Sequence, residues 1–274
     1  MSDMTQADVD YVREVVRETS AIVLDLSKTY LVESRLAPVA RQVGANGLSD
    51  LVARLRRDPT RQLRDMVVDA MTTNETSFYR DPTLWSAIEQ NIIPELIAAR
   101  KHQKALNFWS AASSSGQESY SLAMLLKDRF PDVVANWNVR IIATDLSADM
   151  LGRAASGRYT QLEVNRGLPA SRLVRYFERD GTFWRLKDEV REMVEFRAMN
   201  LAKPWPFLPY IDVLFMRNVL IYFDQRTKQE ILARCRSVLK PDGHLILGTS
   251  ETTLNIDPSY ARIVSGTATT YRPS

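Results

Sequence analysis

"LNFWSAASSSGQESYSLAML" (Leu106–Leu125) is the stretch on which the reading of the fold turns. It opens as an apolar, aromatic run of strand character and closes with helical spacing. Between the two lie small and hydroxylated residues, the glycine at 116 and the acid at 118. A strand that enters a helix through such a turn begins a βαβ unit, and open α/β sheets bind ligands at the carboxyl ends of their strands. The dinucleotide fingerprint G-x-G-x-x-G is absent, and so is the phosphate loop ending in Gly-Lys-Ser/Thr. A carboxylate beside the turn would repel a pyrophosphate. Glu118 therefore has two readings at this point. It is a first-turn acid that favours the helix dipole, or it is the partner of a cationic ligand.

The grammar downstream of this stretch is alternation. "NVRIIATDLS" reads as a second strand and "SADMLGRAASGRY" as its helix. "MVEFRAMNL", "YIDVLFMRNVLIYF" and "GHLILGTSE" read as further strands, with "DQRTKQEILARCRSVLK" as a helix before the last, and "RIVSGTATTYR" as a closing strand. Strands alternating with helices predict a doubly wound, mostly parallel sheet. Residues 166–190 break the alternation with Asp180-Gly181, a hairpin signal flanked by aromatics. A small antiparallel β-subdomain is expected at about 160–192. The strand ends then supply the candidates: Glu118 after the first, Asp145 after the second, Asn200 after the third, Arg217 and Asn218 after the fourth. An acid closing the second strand suits a ribose, whose two hydroxyls can donate to one carboxylate. With Glu118 at the first turn, the matching ligand is a nucleoside without phosphate and with positive charge, S-adenosylmethionine. Each residue also has a plainer reading. Asp145 or Ser147 could cap the next helix, and Asn200 and Asn218 could be turn residues.

Upstream of residue 105 no strand signal occurs. Four helical segments are predicted within 1–75, with Val9, Val12, Val15 and Val16 on one face, Gly44 as a stop and Ser49 as a cap. "TTNETSFYRDP" breaks this pattern. The expected organisation is a helical domain over 1–75, a linker over 76–90 and a ligand-binding α/β domain over 91–274. The helical part is locally basic, with arginines at 35, 41, 54, 56, 57, 61 and 64 against Asp50 and Asp58. The whole chain carries a net charge of only +3, too little to point to nucleic acid. With two histidines, His102 and His244, a His-rich metal site is excluded. The single cysteine, Cys235, precludes a disulfide framework. "MSDMTQADVD" lacks the features of a signal peptide, and no apolar run reaches the roughly 18 residues of a membrane span. A cytoplasmic location is expected.

"TTNETSFYR" (72–80), "FWSAASSSGQESYS" (108–121), "RNVLIYF" (217–223) and "GTSE" (248–251) occur in this order behind a helical module. Together they resemble the CheR family of chemotaxis receptor methyltransferases over nearly the full chain. The resemblance implies a helical N-terminal domain joined to a Rossmann-like S-adenosylmethionine-dependent methyltransferase sheet with a small antiparallel β-subdomain. It implies methyl transfer to glutamate side chains on cytoplasmic signalling domains of chemoreceptors, giving glutamate methyl esters and S-adenosylhomocysteine. Carried onto matching positions, the family's cofactor contacts are Asn74, Thr76, Arg80, Glu118, Asp145, Asn200, Leu201, Arg217 and Asn218. Arg80 and Tyr222 are the candidates for orienting the acceptor carboxylate, Tyr222 having strand packing as its plainer reading. Arg35, Arg41, Arg54 and Arg57 become candidates for docking on acidic receptor helices, against the plainer reading of a solvated face. No metal is implied, and membrane association is expected only through receptors. The chain departs from the family in reading Ser-Gly-Gln-Glu-Ser at the turn, where relatives often carry a second acid before Glu118 and a proline after it. Its β-excursion is also short, which resembles the type that needs no receptor pentapeptide. Methyl transfer to another substrate, and cofactor binding without turnover, are the alternatives.

Overall fold

The computed structural model describes residues 4–25, 29–57 and 61–274. The first residues of "MSDMTQADVD", Leu26 at the end of "ADVDYVREVVRETSAIVLDL" (7–26), whose spacing predicts the first helix, and Asp58 and Thr60 of the basic segment lie outside the described residues. The chain forms two compact units, one of residues 1–73 with 222–228 and one of residues 74–221 with 229–274.

The first unit contains α1 (Gln6–Ser20), α2 (Thr29–Gln42), α3 (Leu48–Arg57) and α4 (Arg61–Met71). Thr5 starts α1 in a capping box: its hydroxyl accepts from the Asp8 N–H at 3.2 Å and the Asp8 carboxylate accepts from the Thr5 N–H at 3.1 Å. The valine stripe at 9, 12, 15 and 16 is buried as its spacing predicts. Ala21, in the left-handed region, ends the helix short of the expected residue 26, and Ile22 then bridges Phe223. The Val23 N–H donates to the Tyr222 carbonyl at 2.9 Å, so a short segment from far along the chain completes this unit. Gly44, with φ of 63°, stops α2 as expected. Ser49 does not cap α3: Leu48 already belongs to the helix, and the Asp50 carboxylate instead accepts from the Asn46 N–H at 2.9 Å.

The second unit opens with α5 (Pro82–Ala87), a π-helical turn over 88–92 and α6 (Ile93–Arg100). Then come β1 (Ala105–Ser110), α7 (Gln117–Arg129), α8 (Pro131–Asn136), β2 (Asn138–Asp145) and α9 (Ala148–Ser156). The excursion follows as β3 (Arg158–Thr160), α10 (Gln161–Asn165), α11 (Ala170–Tyr176), β4 (Phe177–Asp180) and β5 (Phe183–Leu186). After α12 (Asp188–Arg191) come β6 (Val194–Ala198), β7 (Ile211–Met216), α13 (Gln225–Val238), β8 (Leu239–Leu247), β9 (Tyr260–Ser265) and β10 (Ala268–Pro273). Seven strands form one sheet in the order β6-β2-β1-β7-β8-β10-β9. The first five are parallel, and β10 runs antiparallel to β8 and β9. Strand order reverses between β1 and β7, which makes that crevice the switch point. β3, β5 and β4 form the separate antiparallel sheet, with Asp180-Gly181 at its hairpin.

Three expectations are corrected. Residues 76–90 are not a linker: Phe78 and Trp85 lie in the main core, and the Phe78 ring meets Tyr159 edge-on at 5.0 Å. Polar neighbours in the sequence hide that burial. "YIDVLFMRNVLIYF" is a strand only to Met216, after which Asn218 takes a φ of 58° and 220–222 form a 3-10 turn. "RIVSGTATTYR" is two strands rather than one, folded back at Gly266 with φ of 59°.

Candidate active site

The opening stretch resolves into β1, a tight turn and α7. Its backbone is stitched to the neighbouring strands: the Ala111 N–H donates to Phe215 and the Ser113 N–H to Thr144, each at 2.9 Å. Gly116 has a φ of 89°, and a Cβ there would sit 3.0 Å from the Ala154 Cβ and 3.2 Å from the Phe196 and Tyr120 rings. Glycine is required at that one point for packing as well as for conformation. α7 then runs through the core with residues 119–126 all buried, so it has no solvent face. The buried Ser113 hydroxyl has no partner among the described residues.

Glu118 is not a bare carboxylate. It accepts from the Ser110 hydroxyl at 2.7 Å and from the Arg217 guanidinium at 2.9 Å. Arg217 also pairs with Asp81 and donates to the Arg80 carbonyl at 3.3 Å, and its side chain is only 3% exposed. Two carboxylates share one guanidinium, so the cluster carries a net charge of −1 at the switch point. The Arg217 Nε is buried without a partner among the described residues. Asp81 occupies the N-cap position of α5 but makes no capping bond, and its φ is 64°. Tyr79, Asp81, Ser114 and Asn218 are four of the seven described non-glycine residues with positive φ. Such strain persists where the surrounding contacts over-determine it, as they do at ligand sites.

Asp145 ends β2 buried, accepting from the Ser114 N–H at 2.7 Å and the Ser147 N–H at 2.9 Å. The cap of α9 is Ser147, whose hydroxyl accepts from the Met150 N–H at 3.1 Å. Asp145 thus ties the β1 turn to the end of β2, and its own carbonyl accepts from the Met199 N–H at 2.9 Å. That bond brings Asn200 and Leu201 to the same edge. Asn200 closes a turn through the Ala202 N–H at 2.9 Å, and the Leu201 carbonyl accepts from the Trp205 indole at 3.1 Å. Trp205 packs edge-on against Trp109 of β1 at 4.9 Å. The Asn74 carbonyl accepts from the Ser114 hydroxyl at 2.7 Å, and Thr76 is half-buried. Arg80 pairs with Glu75 at 2.8 Å.

Glu251 was quoted within "GTSE" but given no task by the sequence. Its carboxylate accepts from the N–H groups of Asn218 at 2.7 Å, Gly248 at 2.8 Å and Ile221 at 3.3 Å. It fixes the turn that carries Arg217 and Asn218. The signal available was an acid three residues beyond the glycine that ends a strand. Asp81-Pro82, at the end of "TTNETSFYRDP", reads in the sequence only as a helix start, which gives no sign of the pairing with Arg217.

Tyr222 lies on the 3-10 turn, half-buried, and belongs to the first unit. Strand packing is therefore not its role. Of the four arginines expected to dock, two have structural partners. Arg35 donates to the Met71 carbonyl at 2.7 Å and the Thr72 carbonyl at 3.0 Å, closing the end of α4. Arg54 donates to the Val43 carbonyl at 2.9 Å and the Gly44 carbonyl at 3.0 Å. Arg41 and Arg57 are exposed, and the Arg57 charge is among those that hold the Asp50 carboxyl below its ordinary pKa, after the Asn46 N–H and Arg54.

The donor set fits a cationic nucleoside: a net-negative cluster at the switch point, a carboxylate at the end of β2, and an unpartnered buried hydroxyl in the intervening turn. It offers no glycine-lined anion cradle. Sheet and site together define a Rossmann-like, S-adenosylmethionine-dependent methyltransferase. Two family descriptions match, "CheR methyltransferase, all-alpha domain" over residues 7–72 and "CheR methyltransferase, SAM binding domain" over residues 74–269. The chain belongs to the CheR methyltransferase family, and S-adenosylmethionine is its cofactor. It is 43% identical to the chemotaxis protein methyltransferase 1 of Pseudomonas aeruginosa over 97% of both chains. It is 42% identical to the chemotaxis protein methyltransferase Cher2 of Pseudomonas putida over 94% of both, and 38% identical to the chemotaxis protein methyltransferase of Vibrio anguillarum over 96% of both.

Proposed function

We propose that this protein methylates glutamate side chains on the cytoplasmic signalling domains of chemoreceptors, forming glutamate 5-O-methyl esters and S-adenosylhomocysteine. The observation that carries the reading is full-length similarity to relatives named as chemotaxis protein methyltransferases. No helix among the described residues is long and apolar enough to cross a membrane, which agrees with a cytoplasmic enzyme that meets membranes only through receptors. When bound, S-adenosylmethionine supplies an electrophilic methyl group on a positively charged sulfur.

The chain's own residues then have little proton work to do. A glutamate side chain, with its usual pKa of about 4.3, is already ionised at neutral pH. What remains is in-line positioning and removal of water. In this reading the Asp81–Arg217–Glu118 cluster receives the cofactor's positive end, and Asp145 accepts from the ribose hydroxyls. Asn200 and the Leu201 backbone read the adenine edge, while Asn74, Thr76 and Asn218 line the same site. Arg80 meets a carboxylate. Docking on acidic receptor helices falls to Arg41 and Arg57, since Arg35 and Arg54 already close helix ends. The short β3–β5 excursion supports docking without a receptor pentapeptide.

The test is incubation with radiolabelled S-adenosylmethionine and receptor-bearing membranes. Base-labile label on the receptor is the expected result. Label on RNA instead, or no label on any protein, would sink the proposal.

A further inference from the structure

Arg80 is held in a particular way. Its Nη1 pairs with the Glu75 carboxylate at 2.8 Å, and the second Glu75 oxygen is taken by Arg166, at the end of α10 in the β-excursion. The Arg80 Nε and Nη2 have no protein partner among the described residues, and the side chain is about one-third exposed. A guanidinium offers two parallel N–H groups along its Nε–Nη2 edge, the geometry that matches a carboxylate. The row Arg166–Glu75–Arg80 carries a net charge of +1, whereas the Asp81–Arg217–Glu118 cluster carries −1.

The segment of Glu75 to Arg80 is also braced from the excursion at two further points. A Cβ on Gly167 would lie 2.1 Å from the Phe78 carbonyl oxygen, so chain and chain touch there. Arg172 of α11 stacks over the Tyr79 ring at 4.4 Å while its Nε pairs with Asp128 at 2.8 Å.

We infer that Glu75, itself fixed by Arg166, is a positioning residue: it occupies Nη1 of Arg80 and so presents the free Nε–Nη2 edge to a ligand carboxylate. This rests on the reading that Arg80 meets a carboxylate, either that of the acceptor glutamate or that of the methionine moiety of the cofactor. The excursion thereby reaches the site through Arg166. Exposed ion pairs contribute little to stability, so the effect belongs in binding and turnover and not in the melting temperature.

Two measurements on the full-length protein separate the carboxylate sources: calorimetric affinity for S-adenosylmethionine, and initial rates of methyl transfer to receptor-bearing membranes. Glu75→Gln and Arg166→Ala should each lose about tenfold, the size of one charge-assisted contact. The loss appears in cofactor affinity if the methionine carboxylate is bound, and in acceptor KM if the glutamate is. Arg166→Lys, which keeps the charge, should retain most of the activity, and melting temperatures should stay at the parent value. In an Arg80→Ala background, Glu75→Gln should cost nothing more. If Arg80→Ala is impaired while Glu75→Gln stays within about twofold of the parent in both measurements, the positioning role is overturned and the Arg80 reading survives. If Arg80→Ala is itself at parent level, both fall together.

Discussion

At the scale of single residues, the chemistry rests on charge placed where burial makes it count. Glu118 differs from an ordinary first-turn acid because its partner, Arg217, is buried and shared with Asp81. Glu118→Gln keeps the shape and removes the net negative charge. Affinity for S-adenosylmethionine should then fall about tenfold or more, the size of a charge-assisted contact, as read by calorimetry. An unchanged affinity would remove the cluster from the cofactor site. The residue types were legible in advance: a carboxylate beside a phosphate-free turn and another after the second strand. The sharing of Arg217 was not legible, because Asp81, Glu118 and Arg217 stand far apart in sequence and meet only once α5, α7 and β7 are packed.

At the scale of elements, two features of β8 and its loop carry consequences. Gly248 ends the strand where a Cβ would lie 2.7 Å from the Asn218 side chain and 2.8 Å from the Glu251 carboxylate. Gly248→Ala must displace the turn holding Arg217 and Asn218. Methyl transfer should drop by about tenfold or more, with a stability loss of about 1–3 kcal/mol from overpacking, checked by kinetics beside a denaturant melt. His244, in the middle of β8, is fully buried. Its Nε2 accepts from Arg272 at 2.7 Å, so its Nδ1–H faces the Thr270 hydroxyl at 3.0 Å. Burial first, then the Arg272 charge, hold its pKa down from 6.5 to about 4 despite Glu95 and Asp242 nearby. The folded state therefore resists protonation that the unfolded state accepts. The contribution is fully present above pH 6.5 and is lost as pH falls towards 4, about 3 kcal/mol at most. His244→Gln should flatten the difference in stability between pH 7 and pH 4 relative to the parent. A variant with the parent's full pH slope would show that other groups carry it. Alternation made the strand and its helix readable, but β9 and β10 read as one strand because Gly266 and Thr267 are the whole of the signal separating them.

At the scale of the whole molecule, the two-part organisation was visible as a change from helical spacing to alternation, and the boundary between the units falls at residues 73 and 74. The return of 222–228 to the first unit was invisible. Among the described residues it is held by the bridge from Ile22 to Phe223, the Val23 bond to Tyr222 and the Arg17–Asp224 ion pair at 3.8 Å, between segments about two hundred residues apart. Local periodicity carries no record of such a pairing, and "RNVLIYF" taken alone reads as strand. The basic bias of the first unit was legible as composition, but composition could not say which arginines are already engaged. Arg35 and Arg54 donate to helix-end carbonyls, Arg56 stacks on Tyr11 at 4.2 Å and Arg64 pairs with Glu18 at 3.7 Å, whereas Arg41, Arg57 and Arg61 are exposed. Of these, Arg41 and Arg57 are the two proposed to meet an acidic partner. Charge reversal at either, Arg41→Glu or Arg57→Glu, should slow receptor methylation several-fold through a raised acceptor KM while leaving S-adenosylmethionine affinity at the parent value. The parent enzyme should lose acceptor affinity as ionic strength rises past about 0.1 M, where screening reaches about 10 Å, and the reversed variants should show a shallower salt dependence. Arg35→Glu is the contrasting case. Because its guanidinium closes α4, it should lower the melting temperature as well, which separates a surface that steers a partner from a side chain that holds its own fold.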